Sequence, residues 1–242
     1  MPNFPLFIAL ALVSEIIGTI SGFGSSLLFV PMASLFFDFK TVLGITAVFH
    51  VFSNITKIVL FRQGVDKHIA LKLGIPAILF VFLGAYLTVY LPEKFMTLFM
   101  NAALLGLSLY LMVNFHKTLK KTEFNLYSGG ALSGFLAGIA GTGGAIRGLT
   151  LAAFQLPKDV FIATSALIDL GVDATRAVVY AGNGYFEKEY IFLIPFLIGV
   201  SILGSYIGKK LLEHTSEVVF RYLVLIIIVL TAGIQFISYF FS

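Results

Sequence analysis

The sequence predicts an all-α integral membrane protein of two inverted repeats, each a glycine-broken re-entrant helical hairpin plus three transmembrane helices. Three observations carry this expectation. Apolar runs near 20 residues recur along the 242-residue chain, the length that crosses a hydrocarbon core of about 30 Å. Glycine clusters interrupt two of the runs, at Gly18-Thr-Ile-Ser-Gly22-Phe-Gly24-Ser-Ser26 and at Gly134-Phe-Leu-Ala-Gly138-Ile-Ala-Gly141-Thr-Gly143-Gly144. The two halves also match at one constant offset.

Composition sets the class. Hydrophobic residues make up 59% and charged residues 12%, with a mean hydropathy of +1.00; soluble domains carry about 25% charged residues. The spans are helices, because an open sheet cannot satisfy its backbone in lipid. The net charge of +4 is modest, and in a membrane protein basic residues chiefly set orientation, so no nucleic-acid partner is expected. There is no cysteine, which excludes disulfides, thiol chemistry and thiolate metal sites. His50, His68, His116 and His214 lack metal-ligand spacing, and no cofactor or metal is expected. The start, Met1-Pro-Asn-Phe-Pro-Leu6, has no basic residue before its apolar run, so it reads as retained rather than as a cleaved signal.

In chain order, the first repeat covers 1–115. It holds a broken segment at 4–37, interrupted at 21–26, and helices at 41–61, 69–91 and 95–115. A basic cytoplasmic link at 116–124 follows, from His116-Lys-Thr-Leu-Lys-Lys-Thr-Glu123. The second repeat covers 125–242, with a broken segment at 125–156, interrupted at 141–144, and helices at 160–181, 190–207 and 218–241. There is no Trp, so an aromatic belt must use Tyr; Tyr90, Tyr110, Tyr127, Tyr180, Tyr185, Tyr190, Tyr206, Tyr222 and Tyr239 fall near expected span ends or in links.

The internal match sets Leu43-Gly-Ile-Thr-Ala-Val-Phe-His50-Val-Phe-Ser-Asn54-Ile-Thr-Lys57 over Ile162-Ala-Thr-Ser-Ala-Leu-Ile-Asp169-Leu-Gly-Val-Asp173-Ala-Thr-Arg176, an offset of 119. The same offset pairs Gly22 with Gly141, Gly24 with Gly143 and Pro76 with Pro195. Apolar similarity alone would not align rare polar positions with one another, so a duplication is expected, with a site at the interface of its halves.

Charge decides between parallel and inverted halves. If both broken segments cross fully, Lys and Arg divide seven against six. If both turn back at their glycines, one side holds Arg62, Lys67, Lys72, Lys117, Lys120, Lys121, Lys158, Lys209, Lys210 and Arg221, against Lys40, Lys94 and Lys188 on the other. The second arrangement obeys the positive-inside rule and puts both termini outside. The expected arms of about 11–17 residues span about 17–25 Å, mostly too short to cross.

Seven ionisable side chains lie inside apolar segments: Glu15, His50, Lys57, Arg147, Asp169, Asp173 and Arg176. A charge at mid-bilayer costs about 2.5–3.5 kcal/mol on insertion scales, so each should face a cavity or a partner. Asp169, Asp173 and Arg176 share one helix face, and His50, Asn54 and Lys57 repeat that stripe; Asp173 and Arg176 can simply pair. Arg147 sits on the first turn after the second break, where unpaired N–H groups already make the helix end positive. An anion between them would resolve the repulsion, and glycines at Gly141, Gly143 and Gly144, around Thr142, would let it approach the backbone. Gly22, Gly24, Ser25 and Ser26 should supply opposing donors. Gly134 and Gly138 fit close helix packing instead. Glu15 could pair with Lys57 or Arg147 or carry a coupling proton, and His50 could also carry one, since imidazole ordinarily titrates near neutral pH.

Gly22-Phe-Gly-Ser-Ser-Leu-Leu-Phe-Val-Pro31 and Ser133-Gly-Phe-Leu-Ala-Gly-Ile-Ala-Gly-Thr-Gly-Gly144 resemble the paired glycine-rich breaks of the sulfite exporter TauE/SafE family, the TSUP permeases, over nearly the whole chain. Thr150 stands where the first half has Pro31, and Ser25 where a third glycine is usual. The resemblance implies transport of sulfite, sulfonates or related organosulfur anions across the cytoplasmic (inner) membrane. The expected function is thus secondary transport of a small sulfur-containing oxyanion, with no enzymatic activity. Gly22, Gly24, Ser25, Ser26, Gly141, Thr142, Gly143, Gly144, Arg147, Arg176 and Lys57 would bind substrate. Glu15, His50, Asn54, Asp169 and Asp173 would couple or gate, with a proton as the possible co-substrate and the lipid bilayer as surroundings. No nucleotide-binding motif is present, so gradients would supply energy. A passive anion channel is the alternative, since basic side chains also line pores. An intramembrane aspartyl protease fits poorly: Asp169 and Asp173 share one helix, whereas a shared-proton dyad needs facing carboxyls.

Overall fold

A computed structural model describes residues 3–22, 24–62, 64–113, 122–141, 143–154 and 156–214, with 216, 218, 226 and 233 beyond them. The described elements are α1 (Phe4–Ser21), α2 (Ser26–Ala33), α3 (Phe39–Leu60), α4 (Lys67–Leu87), α5 (Glu93–Val113), α6 (Glu123–Ala140), α7 (Gly144–Ala153), α8 (Lys158–Gly182), a 3-10 turn at Lys188–Tyr190, and α9 (Leu193–His214). No strand occurs among the described residues. The expected helix at 218–241 lies mostly outside them, as do 116–121 of the link with Lys117, Lys120 and Lys121, and Arg221, Tyr222 and Tyr239.

Local chemistry explains the helix ends. Asp38 accepts from the Thr41 N–H at 3.0 Å, Asp66 from Ile69 at 3.1 Å and Thr122 from Asn125 at 3.2 Å, capping α3, α4 and α6. Both α1 and α6 stop at a glycine in the left-handed region, Gly22 (φ 68°) and Gly141 (φ 72°), whose N–H groups donate to Gly18 O and Ala137 O. Side chains rarely adopt that geometry, and a Cβ at Gly22 would also run into the Phe161 ring. The chain therefore leaves the helix at both clusters, and α2 and α7 begin after each.

Several ends differ from the sequence reading. The arms after the breaks finish at Ala33 and Ala153 rather than 37 and 156. Tight bonds from Leu35 and Phe36 to Met32 O and Ala33 O wind up α2, and Pro157 disfavours a helical residue before it. At 8 and 10 residues these arms span only about 12–15 Å. The leading arms are longer than expected, 18 residues each, or about 27 Å. The helix expected at 190–207 is α9, which runs on to His214. Its lysines keep their stems on the protein: Lys209 donates to Leu60 O at 2.9 Å, and Lys210 lies 4.8 Å over the Tyr206 ring. Tyr180 and Tyr185, expected in the aromatic belt, are instead buried.

Among the described residues four helices, α1, α3, α4 and α9, are long and apolar enough to cross a membrane; α8 is longer still, at 25 residues, but carries Asp169, Asp173 and Arg176 along its middle. Shifted by 119, α1 falls on α6 residue for residue, and the start of α3 on the start of α8. Packing is exchanged between halves. α4 lies on α6, where the carbonyls of Leu73 and Ala77 close on Gly130 and Gly134 and Ala85 closes on Gly138. α9 lies on α1, where Gly204 and Gly208 meet Glu15 and Thr19. Small residues permit such close backbone approach. Helices α3 and α8 pack together and run antiparallel: Asn54 meets Asp173, whereas the earlier residue His50 meets the later residue Arg176.

Candidate functional site

The antiparallel crossing of α3 and α8 brings two polar stripes face to face, and the breaks after α1 and α6 close the space between them. Gly24, Ser25, Ser26, His50, Asn54, Lys57, Gly141, Gly143, Gly144, Arg147, Asp169, Asp173 and Arg176 line one cavity, together with Ser53, Ala137 and Val172. Gly22 lines an adjoining hollow with Lys57, Asn54 and Asp169. Glu15 is fully buried behind Lys57. Thr142 lies outside the described residues. Asn54 Nδ2 donates to Asp173 Oδ2 at 2.7 Å, so two positions related by the 119-residue offset touch at the centre.

The charges close into three pairs. Lys57 Nζ lies 2.9 Å from Glu15 Oε1, Arg176 Nε lies 2.7 Å from Asp173 Oδ1, and Arg147 Nη1 pairs with Asp169 Oδ1. Arg147 Nε donates to Ser165 Oγ at 3.0 Å, and a Cβ on Gly24 would sit 3.7 Å from Arg147 Nη2, so this guanidinium adjoins the first break. Of the two partners expected for Glu15, Lys57 and Arg147, it takes Lys57; the counter-charge of Arg147 is Asp169, one helix away.

The other two cations are committed to the scaffold. Arg176 Nη1 donates to Gly141 O at 2.9 Å, a cation at a helix C-terminus, where the dipole favours it, and Arg176 Nη2 reaches His50 Nδ1 at 3.2 Å. Lys57 donates to Ser53 Oγ at 2.8 Å. Glu15 collects hydroxyls from Ser25 (2.7 Å), Ser53 (2.7 Å), Ser205 (2.8 Å) and Thr19 (3.2 Å). Ser25 has one hydroxyl proton and gives it to Glu15, so His50 Nε2, 3.0 Å from Ser25 Oγ, carries the N–H that donates to it. His50 Nδ1 is then the acceptor facing Arg176, and the imidazole is neutral.

Ser25 accordingly donates to Glu15 rather than into the cavity. Gly143 is packed against Ser133 O, so it serves close helix contact. Sequence reasoning missed Ser53, Ser165, Thr19, Ser205 and Tyr180. Ser53, three residues after His50, and Ser165, four before Asp169, lie on the polar stripes and are findable by helical spacing. Thr19 follows Glu15 by four. Tyr180 extends the α8 stripe one turn beyond Arg176, and its hydroxyl donates to Gly138 O. Ser205 is 190 residues from Glu15 and leaves no sequence signal. Among the described residues, no group of three acidic or histidine side chains is placed to hold a metal.

The family model of the sulfite exporter TauE/SafE matches residues 6–234, and the chain belongs to that family; no curated protein gives a significant match. With four helices among the described residues long and apolar enough to span and a family of membrane exporters around it, the chain is a multi-pass membrane protein.

Proposed function

We propose that this TauE/SafE member is a secondary transporter of a small sulfur-containing oxyanion, a sulfite, sulfonate or related organosulfur anion, across the cytoplasmic membrane. The observation that carries the reading is the convergence of both helix breaks and of Lys57, Arg147 and Arg176, drawn from both halves, on one cavity. A desolvated oxyanion needs charged donors and free backbone N–H groups, and helix starts supply the latter. Arg147 holds the anion, and the first turns of α2 and α7 complete its shell, with Gly24 leaving the approach open. Lys57 and Arg176 line the route, each beside its own carboxylate, while Glu15, His50, Asn54, Asp169 and Asp173 govern coupling and gating.

In this reading the halves are inverted repeats and the broken segments are re-entrant. Support comes from α3 and α8, equivalent helices that run antiparallel, as a two-fold axis in the membrane plane requires, and from the ten-to-three division of basic residues, which puts both termini outside. Single cysteines replacing Lys67 and Lys188 test this in intact cells with an impermeant reagent: Lys188→Cys labels and Lys67→Cys does not, and the opposite result overturns the orientation.

A passive anion channel would use the same cations. The closed ion pairs favour a carrier, and flux that saturates with sulfite separates the two. The decisive experiment is sulfite or sulfonate transport in proteoliposomes. Arg147→Ala abolishes it while the protein stays folded; retained transport overturns the assignment.

A further inference from the structure

The cavity has no surplus positive charge. Among the described residues Lys57, Arg147 and Arg176 face Glu15, Asp169 and Asp173 one to one, and His50 is neutral. An arriving monoanion would leave one uncompensated charge in a buried, poorly hydrated space, a costly state. The three pairs differ in how firmly they are closed. Glu15 has four hydroxyl donors besides Lys57 and a side-chain exposure of 0%. Asp173 has Arg176 and Asn54, with an exposure of 7%. Asp169 has Arg147 as its partner and is the most open, at 13%. Space is short as well: with the pairs closed, the lining groups leave room for about one water.

We infer that Asp169 is a tethered stand-in for the cargo: its carboxylate occupies the anion's place on Arg147, and must take up a proton and move aside before the anion binds. The inference rests on the oxyanion-transport reading of the same site. The charged and titratable groups around Asp169 are Arg147 on α7, Lys57 and His50 on α3, and Asp173 and Arg176 on α8. Lys57 and Arg176 are already paired, so a displaced carboxylate finds no other cation and is discharged by protonation. His50 cannot take the proton instead, because its free nitrogen faces the Arg176 guanidinium. The balance is one monoanion and one proton in, with the guanidinium passing from Asp169 to the cargo. On release the anion and the proton leave, and Asp169 returns to Arg147. Each monoanion therefore crosses with one proton, and the step is electroneutral.

The test is calorimetric titration of the detergent-purified full-length protein with methanesulfonate, which stays a monoanion throughout, and with sulfite, whose own protonation is subtracted. At pH 8, in buffers of differing ionisation enthalpy, the native protein takes up close to one proton per anion. Affinity then weakens by about tenfold per pH unit in the alkaline range, the limit for one linked proton. Asp169→Asn binds methanesulfonate at least tenfold tighter at pH 8, with no proton uptake and a flat pH profile. Native binding without proton uptake, or an Asp169→Asn variant that keeps the native pH slope, overturns the inference while leaving the oxyanion site standing. If neither anion binds the native protein at any pH, the transport reading falls and takes the inference with it. The proton count needs only the native protein, so a poorly folding variant does not remove the test.

Discussion

At Gly22 and at Gly141 the chain makes the same turn. Each glycine takes a positive φ, and each donates its N–H four residues back, to Gly18 O and Ala137 O. What gathers around the two turns differs. Beside the first, Glu15 draws in Lys57 and four hydroxyls from three helices and from the break itself. Beside the second, the residue equivalent to Glu15 is Gly134, used for packing against Ala77, and the charge comes from Arg147, paired with the carboxylate of Asp169. The position equivalent to Arg147 is Leu28. The hydroxyl equivalent to Ser165, on Thr46, is buried with no hydrogen-bond partner among the described residues. The scaffold repeats and the chemistry does not: one half is a saturated anchor, the other an exchangeable pair.

Six variants break or sharpen that contrast. The largest effect belongs to the anchor. Glu15→Ala strands Lys57 and several hydroxyls in the interior, at a cost of about 3–5 kcal/mol, and should give little folded protein or the deepest fall in Tm of the set. A native-like Tm in detergent would remove the anchor from the comparison. Arg147→Ala comes next and acts on function: loss of a buried charged donor to an anion, at about 2–5 kcal/mol, lowers sulfite or sulfonate flux at least about thirtyfold, while the elution profile and helicity stay native.

The turns themselves rank third. Gly22→Ala and Gly141→Ala each force a side chain into the left-handed region, about 1–2 kcal/mol. Gly22→Ala costs more, because its Cβ meets the Phe161 ring, whereas at Gly141 the nearest group is the Leu43 methyl at 2.9 Å. Equal losses of thermal stability would mean that the two turns are packed alike. The last comparison, between two hydroxyls, is the most specific. Ser165→Ala removes the acceptor of Arg147 Nε and costs about 1.5–3 kcal/mol, whereas Thr46→Val at the equivalent site removes a hydroxyl with no partner and is neutral or slightly stabilising. The two unfolding midpoints, measured side by side, show whether the second half alone uses this hydroxyl.

Much of the site was legible beforehand. The stripes His50, Asn54, Lys57 and Asp169, Asp173, Arg176 come from helical spacing alone, and the 119-residue offset sets one over the other. Tyr180 was misassigned because a tyrosine near a helix end reads the same whether it meets lipid headgroups or turns inward to a carbonyl. The partner of Arg147 is not legible in the sequence, because Glu15, Asp169 and Asp173 all offer a carboxylate and nothing within its own helix selects among them.

By itself the sequence determined a helical, membrane-embedded chain with two interruptions and a corresponding polar stripe in each half. These are local properties: run length sets a span, a glycine permits a positive φ, and spacing of three and four residues fixes a helix face. Only the tertiary structure decided which cation meets which carboxylate. Six charges on four helices admit several pairings, and distance selects among them: Glu15 took Lys57, Asp169 took Arg147, and Ser205 reached Glu15 from the far end of the chain. Those distances follow from how α1 lies on α9 and how α3 crosses α8. No residue's immediate neighbours in sequence encode them, because Coulomb and hydrogen-bond energies depend on separation in space.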